Sequence, residues 1–424
     1  MNPNFLIVGS GAGGATLAKE LAIRGKNVTI VERGRFHKLG TERRAMRFYT
    51  GGFSPGEKVD GGTTIFKTIM VGGTTMVTLG CCVKPPQQDL RRLGIDLDKE
   101  LEEAERELAV SLVPENFMGE RTKILRKASE ELGYSVKPMP KFIDFKRCTN
   151  CGLCVTGCRY GARWSALKPL GEARKAGAKL LTNTSVEEVL YRDGEVKGVK
   201  TRGPSGSQEI SADKVILAAG GLSTPIILQR SGLEAGDGLF VDLFINTYGM
   251  IEKHGIRDEL GMATIINQFH ESDGLILTPI LDTCLHMLLY LPLLKKMRAF
   301  NRDKMLGLMT KIADDSSGKI ESNGRICKPI TKNDWRKLEK GVELSKNILR
   351  QAGVNPRSFL TTEVRGAHPG GTAAIGKTVN KEFETEINGL YVCDSSLLPA
   401  SLGNPPVLTI VALAKRLGAL LTAG

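Results

Sequence analysis

Near the start of the chain stands FLIVGSGAGG, residues 5–14, followed by ATLAKELAI at residues 15–23 and VTIVE at residues 28–32. The four apolar residues before Gly9 have the length and composition of a buried parallel strand. Apolar residues then recur at helical spacing, and the third stretch is a second short strand that ends on Glu32. The sequence therefore predicts a strand, a glycine turn, a helix and a second strand, in that order.

The glycine turn follows the G-x-G-x-x-G pattern of a dinucleotide site. In such a turn Gly9 makes the tight bend, Gly11 lets backbone N–H groups approach a pyrophosphate, and Gly14 lets the helix pack closely on the strand. The helix N-terminus attracts the phosphates, and Glu32 is placed to accept hydrogen bonds from an adenosine ribose. These residues predict a dinucleotide site. The alternative is a glycine turn that binds nothing, and this stretch alone does not distinguish NAD from FAD.

The composition suits a folded protein with an anionic partner. A length of 424 residues allows two or more domains, and the formal net charge is +13. Such a charge suits a membrane surface, an acidic protein or an anionic substrate, or simply a solvated basic surface. Nucleic acid is not expected, because dense basic runs with interleaved aromatic residues are lacking. The first strand begins by about residue 4, so the sequence predicts no signal peptide.

Bunched cysteines indicate a metal centre. Residues 148–158 read CTNCGLCVTGC, and this C-x2-C-x2-C-x3-C spacing matches the ferredoxin-type run that ligates a [4Fe–4S] cluster. The predicted ligands are Cys148, Cys151, Cys154 and Cys158. Structural zinc and unligated cysteines are the alternatives. In two-cluster ferredoxins the fourth cysteine ligates the other cluster, so here either Cys158 or a remote cysteine such as Cys81 or Cys82 completes the site. An odd total of nine cysteines argues against a disulfide framework and for a reducing, cytoplasmic compartment.

Further elements follow from periodicity. Apolar residues at helical spacing predict helices within residues 97–108 and 124–132, which form a helical insertion on one side of the core. A β-hairpin is predicted across Asp193-Gly194, followed by a buried strand at residues 215–219 that runs into the glycine turn Gly220-Gly221. The next helix is expected to begin with Thr224 as its N-cap.

The composition shifts between residues 236 and 365, where apolar stretches and scattered methionines predict a separate domain with an apolar surface or tunnel. Residues 285–294 are apolar, and a basic cluster follows at Lys295, Lys296, Arg298, Arg302 and Lys304. This pattern suits a helix that rests on a membrane surface, and it suits ordinary core packing beside a basic helix equally well. Residues 275–294 approach transmembrane length but include Asp282 and His286, so they do not predict a membrane-spanning helix.

Glycine-rich segments elsewhere complete a family pattern. They are GGTT at residues 72–75, GGLSTPIILQRSGL at residues 220–233, HPGGT at residues 368–372 and NPP at residues 404–406. With the N-terminal turn, they resemble the glucose–methanol–choline (GMC) family of FAD oxidoreductases. The sequence departs from the family pattern at Thr78, where Asn or His is usual, at Gly221 and at Glu234.

The resemblance implies an α/β protein, with a Rossmann-like FAD-binding domain and a discontinuous α+β substrate domain. The FAD-binding domain is expected at residues 1–85, 141–235 and 366–424, the helical insertion at 86–140 and the substrate domain at 236–365. His368 matches the family's catalytic histidine, and Asn404 matches its second active-site position. The residues implied to bind FAD are Gly9, Gly11, Ala12, Gly14, Glu32, Arg33, Gly73, Thr74, Val186, Ala219, Asp394 and Pro405.

These assignments predict an oxidoreductase acting on CH–OH groups. Hydride passes from an alcohol carbon to flavin N5, His368 takes the hydroxyl proton, and Asn404 orients the hydroxyl. Electrons are expected to leave through the [4Fe–4S] cluster to a one-electron carrier such as ferredoxin, which favours a dehydrogenase over an oxidase. An apolar alcohol or carbonyl substrate is expected. The alternatives are a ferredoxin-fed flavin reductase of a lipid or isoprenoid substrate, and a non-catalytic flavin and iron–sulfur electron-transfer protein. The expected location is cytoplasmic, with peripheral membrane contact left open.

Overall fold

A parallel sheet lies at the centre of the fold. The computed structural model describes residues 4–45, 49, 56–253 and 255–423. The strands of this sheet stand in the spatial order Leu390–Val392, Lys214–Leu217, Asn4–Val8, Asn27–Val31 and Lys179–Leu181. Their apolar residues are mostly buried, as in a parallel sheet covered on both faces. The predicted first strands are confirmed, and the two ends of the chain contribute to one sheet.

The first helix, Ala12–Ile23, packs against the helices Val407–Leu420 and Leu167–Lys175. A Cβ atom on Gly14 would lie 2.1 Å from the carbonyl oxygen of Gly9. Such an approach is far inside van der Waals contact, so a side chain here would push the helix away from the strand. The predicted packing role of Gly14 is confirmed.

The helical insertion consists of Gln88–Arg92, Asp98–Leu108 and Glu120–Glu131, and the two helices predicted from periodicity are confirmed. The helix Asp98–Leu108 packs its apolar face on the C-terminal helix Val407–Leu420. The predicted hairpin joins Ser185–Arg192 to Glu195–Gly203, and it gains a third strand at Gly206–Ser211.

A mixed sheet forms the second half of the molecule. Its order is Leu275–Pro279, Met305–Ile312, Leu243–Met250, Arg365–Gly366, Thr64–Phe66 and Gly56–Lys58, with Leu360–Thr361 paired beside Leu243–Met250. The helix Lys332–Gln351 packs on this sheet, and Thr331 with Asp334 forms its capping box. The arrangement matches the expected α+β substrate domain. Because residues 56–66 pair here, the exact domain boundaries stay a prediction.

Shorter elements connect the two sheets. The remaining α-helices are Glu42–Ala45, Thr224–Arg230, His270–Asp273 and Cys284–Tyr290. The 3-10 segments are Gly73–Val77, Glu115–Phe117, Cys154–Thr156, Leu293–Lys304, Pro356–Ser358 and Ser395–Leu397. The remaining strands are Ser111–Leu112, Lys137–Pro138, Pro140–Lys141, Asp237–Leu239, Thr264–Ile265, Gly318–Ile320 and Ile326–Cys327. Throughout the described ranges, every helix is too short or too polar to cross a membrane.

One capping prediction is wrong. The N-cap of the helix Thr224–Arg230 is Ser223, and neither its side chain nor that of Thr224 caps the helix. The Thr224 hydroxyl donates instead to the carboxylate of Asp394, at 2.5 Å. A tertiary hydrogen bond to a buried carboxylate therefore replaces the local cap that the sequence suggested.

Candidate active site

The first helix leaves open space at its N-terminus. Gly11 is the N-cap, and the described residues supply no side chain to cap it. A Cβ atom on Gly11 would meet no described protein atom within 4 Å, whereas one on Gly9 would lie 2.3 Å from the carbonyl oxygen of Ala218. Protein packing therefore requires glycine at position 9 but not at position 11. Free N–H groups and the helix dipole at this open space suit a pyrophosphate, so the residues present fit the dinucleotide.

A second glycine loop reaches the same space. Gly72 and Gly73 both have positive φ, at 89° and 56°, and a Cβ atom on Gly73 would lie 3.2 Å from the Cα atom of Gly11. The backbone N–H of Gly72 donates to the hydroxyl of Ser10 at 3.0 Å. The tertiary structure thus brings the predicted Gly73 segment against the predicted Gly11 turn.

Glu32 is buried beside this turn. Its carboxylate accepts hydrogen bonds from the backbone N–H and hydroxyl of Ser10, at 2.9 and 2.7 Å, and from the N–H of Gly34 at 2.6 Å. Two carboxylate oxygens accept about four hydrogen bonds in all, so capacity remains for one more donor. The predicted hydrogen bond from a ribose is compatible with this arrangement and stays a prediction.

Asp394 holds a further glycine turn in place. Its carboxylate accepts from the N–H of Gly220 at 2.8 Å, from the Thr224 hydroxyl, and from the N–H and hydroxyl of Ser396. Burial raises the pKa of Asp394, and these hydrogen bonds oppose that effect. The contact between Asp394 and the flavin's ribityl chain stays a prediction. The other residues implied to bind FAD are Ala12, buried at the first position of the helix; Ala219, Val186 and Pro405, half-buried; and Arg33 and Thr74, exposed.

His368 lies against a buried ion pair. Its Nδ1 atom is 2.8 Å from Asp242 Oδ2 and 2.7 Å from Lys311 Nζ. Lys311 Nζ is itself 3.1 Å from Asp242 Oδ2, and the two side chains are only 3% and 1% exposed. A proton on Nδ1 that is donated to Asp242 leaves Nε2 as the basic nitrogen of the ring.

The charges of this trio favour a neutral imidazole beside an ionised carboxylate. Burial lowers the pKa of His368, and the Lys311 ammonium lowers it further, against the attraction of Asp242. Burial would raise the pKa of Asp242, but Lys311 and His368 outweigh it and lower that pKa to about 2. A neutral imidazole is the form that can accept a proton.

Asp242 also ties His368 to the segment that contains Asn404. Asp242 Oδ1 accepts from the Ser401 hydroxyl at 2.5 Å and from the N–H of Gly403, the residue before Asn404, at 3.2 Å. Asn404 Nδ2 lies 3.3 Å from His270 Nε2, while Asn404 Oδ1 is buried without a hydrogen-bond partner among the described residues. An unpartnered buried acceptor leaves one hydrogen bond to be supplied by a bound ligand.

Sequence reasoning missed Asp242, Lys311 and His270. One signal was available, because Asp242 interrupts the apolar run 239–245 and Lys311 interrupts the apolar run 305–312. A charged residue inside an apolar strand is rarely buried without a partner. Finding the partner required the fold, since Asp242 and His368 are 126 positions apart.

Removing the Lys311 charge should shift the pH dependence of turnover. In Lys311→Met the pKa of His368 rises, because a cation that opposes its protonation is lost while Asp242 remains. The base is active only when deprotonated, so the acid limb of kcat/KM should move to higher pH. The pH profile of substrate-dependent flavin reduction measures this. The exposed-lysine variant Lys319→Met is the control, and an unshifted acid limb in Lys311→Met would contradict the assignment.

The cysteine segment does not form a preassembled metal site. Within the described residues, groups of three or more His, Cys, Asp and Glu side chains close enough to hold a metal ion are absent. Cys151 is exposed and the other three cysteines are half-buried. Left-handed backbone conformations at Asn150, Gly152 and Gly157 turn this segment sharply. The predicted cluster ligands therefore stay a prediction.

Two buried cations, Lys141 and Arg163, are close enough to the Cys154 thiol to affect its ionisation. Lys141 donates to Cys81 Sγ at 3.1 Å, and Arg163 donates to the carbonyl oxygen of Cys154 at 3.1 Å and to the Thr78 carbonyl. Burial raises the pKa of Cys154, and the charges of Arg163 and Lys141 oppose that rise. In the part of the chain that the structure describes, neither cation has a carboxylate within 4.0 Å. Arg163 also donates to the carbonyls of Thr75 and Met76, so it joins the cysteine segment to the Gly73 loop.

Comparisons with known proteins identify the family of this chain. The family model described as GMC oxidoreductase matches residues 4–243 with its N-terminal part and residues 325–414 with its C-terminal part. An uncharacterized protein of Methanocaldococcus jannaschii is 31% identical over 97% of this chain and 98% of its own length. Long-chain-alcohol oxidase FAO3 of Arabidopsis thaliana is 27% identical over 97% of this chain and 66% of its own length.

Solved structures show the same fold. Pyridoxine 4-oxidase from Mesorbium loti superimposes with a TM-score of 0.75 at 17% identity, over 99% of both chains. Formate oxidase superimposes with a TM-score of 0.76 at 15% identity, over 100% of this chain and 98% of its own. One assignment accounts for the glycine turns at Gly11 and Gly73, for the α/β fold and for the match to the family model. The chain belongs to the GMC family of FAD-dependent oxidoreductases.

Proposed function

We propose that this chain oxidises the CH–OH group of an apolar small molecule, with His368 as the base. The observation that carries the proposal is the Asp242–His368–Lys311 trio. With its proton on Nδ1, His368 donates a hydrogen bond to Asp242, and Nε2 can then take the hydroxyl proton of an alcohol. FAD, when bound, supplies the acceptor for the hydride.

Asp242 acts as a positioning residue in this proposal. One of its oxygens holds His368, and the other holds Gly403 next to Asn404. A single buried carboxylate therefore sets the spacing between the base and the amide. One of the two N–H groups on Asn404 Nδ2 can donate to the oxygen of a substrate hydroxyl. This orients the hydroxyl and leaves its single proton for His368.

The surroundings favour an apolar substrate. Phe244, Met262 and Met309 belong to one buried apolar cluster, and Ala367, the neighbour of His368, packs against that cluster. Apolar walls bury a hydrocarbon chain favourably and exclude water from the reacting centre. The relative named long-chain-alcohol oxidase supports the same substrate class.

Anaerobic mixing with a series of primary alcohols tests this function. Bleaching of the flavin absorbance should become faster as the alkyl chain lengthens, because each buried CH₂ adds about 0.8 kcal/mol of apolar transfer energy. Alkanes and carboxylic acids of equal chain length are the matched controls and should leave the flavin oxidised. Dithionite verifies that the flavin can be reduced. Failure of every alcohol to bleach a dithionite-reducible flavin would overturn the proposal.

We further propose that the 148–158 segment holds a [4Fe–4S] cluster. The cysteine spacing and the local charges both support this. The buried cations Lys141 and Arg163 act electrostatically on the Cys154 thiol, and neither has a carboxylate partner among the described residues. Four thiolates around such a cluster would supply the missing negative charge. When bound, the cluster passes single electrons, which suits the one-electron exit predicted from the sequence.

Iron and sulfide analysis of anaerobically purified protein tests the cluster. We expect about four iron and four sulfide per chain, and their loss in Cys148→Ser or Cys154→Ser. Cys327→Ser, at an exposed cysteine outside this segment, is the matched control. Purified wild-type protein with full flavin but without iron, or with zinc in its place, would overturn this part of the proposal while leaving alcohol oxidation intact.

A further inference from the structure

A ridge of exposed apolar side chains lies on the 3-10 segment Leu293–Lys304. Leu294, Met297 and Phe300 are 97%, 72% and 63% exposed. A 3-10 helix has three residues per turn, so side chains three positions apart stand above one another on the same face. These three residues therefore form one continuous apolar ridge. Leu293, 79% exposed, lies next to it at the start of the segment.

The opposite side of the segment is anchored in the protein. Ala299 is buried, and Arg302 binds both carboxylate oxygens of Asp258 at 2.8 and 3.2 Å. Arg302 also donates to the carbonyl oxygen of Asp282, and its own carbonyl accepts from Arg121. The ridge is thus held outward by contacts on its other face. Of the apolar stretch 285–294, Met287, Tyr290 and Leu291 are buried, as core packing predicts, whereas Leu293 and Leu294 at its end are exposed.

Basic side chains flank the ridge on both sides. Lys295, Lys296 and Arg298 alternate with its members along the chain, and carboxylate partners within 4.0 Å are not found for them among the described residues. Arg298 donates to the carbonyl of Ser358. Apolar side chains that project between cations match an interface in which hydrocarbon lies beneath a layer of anionic head groups.

We propose that the ridge Leu294–Met297–Phe300 docks this enzyme onto an anionic lipid surface. The three apolar side chains insert below the head groups, and Lys295, Lys296 and Arg298 contact the lipid phosphates. This docking goes beyond the catalytic proposal and does not depend on it. It also assigns a function, binding anionic lipid, to some of the basic residues that contribute to the formal net charge of +13.

Co-sedimentation of the FAD-bound full chain with vesicles tests the proposal. Phosphatidylcholine vesicles with and without phosphatidylglycerol are compared at low and high ionic strength. Wild-type protein should pellet with the anionic vesicles at low salt and less at high salt, because ions screen the attraction between the basic side chains beside the ridge and the lipid phosphates. The variant L294S/M297S/F300S should partition at least about tenfold less, since three buried apolar contacts are lost.

Two further variants keep the test specific. The control I23S/F36S/L112S removes three exposed apolar side chains elsewhere and should pellet as wild type does. In K295Q/K296Q/R298Q the residual binding should lose its dependence on salt. Fluorescence of Met297→Trp should shift to the blue with anionic vesicles and be quenched by brominated lipid, which reports insertion without deleting the ridge.

Three results would overturn the proposal. They are failure of wild-type protein to pellet with anionic vesicles at low salt, pelleting unchanged by L294S/M297S/F300S, and a vesicle-independent dimer that this variant abolishes in light scattering. The last result would assign the ridge to a second copy of the chain.

Discussion

His368→Ala should lower kcat/KM for alcohol oxidation by about 10²–10⁴-fold, the usual contribution of a positioned general base. The reason lies in the buried trio, where Asp242 and Lys311 hold a neutral imidazole with Nε2 free to accept a proton. Rapid mixing under anaerobic conditions measures the rate of flavin reduction, and it separates the chemical step from reoxidation.

The control for this variant is its flavin content. FAD content and absorbance should stay as in wild type, because the roles assigned to Gly11 and Gly73 do not involve His368. Added imidazole should restore part of the rate, which a merely structural defect would not allow. A reduction rate within a few-fold of wild type would remove His368 from the role of base.

Gly11→Val should abolish FAD binding while leaving the fold intact. A Cβ atom at this position meets no described protein atom within 4 Å, and the φ angle of −71° suits any residue. The added side chain would therefore occupy the space of the pyrophosphate without disturbing the protein around it. Absorbance of the purified variant measures flavin content, and circular dichroism measures the fold.

Two other glycine variants are the controls for Gly11→Val. Gly171→Val, also in open space and within the helix Leu167–Lys175, should keep both its flavin and its fold. Gly14→Val should lose the fold as well as the flavin, since its Cβ would lie 2.1 Å from Gly9 O. Full flavin occupancy in Gly11→Val would show that the cofactor does not lie at this helix terminus.

Much of the parallel sheet could be predicted because its signals are local. The run before Gly9, the helix to Ile23 and the strand to Val31 are contiguous, and each was identified from apolar periodicity and glycine spacing. The mixed sheet was not predicted in detail. Leu243–Met250 pairs with Met305–Ile312 and Leu360–Thr361, and the choice between such distant partners depends on contacts that no short window contains.

The candidate site divides in the same way. His368 and Asn404 were identified because each sits in a short family motif. Asp242 and Lys311 belong to no motif, and they reach His368 from 126 and 57 positions away. Arg163 likewise reaches the Gly73–Val77 loop from beyond the cysteine run.

The sequence by itself determined where backbone and backbone, or backbone and cofactor, must approach closely. These close approaches are local steric constraints, and the glycines at positions 9, 11 and 14 indicate them directly in the sequence. Only the tertiary structure decided which charges act on His368 and that Leu294, Met297 and Phe300 face outward. Electrostatic energy depends on distance and burial, and exposure depends on what packs nearby, so both are properties of the folded chain rather than of any segment.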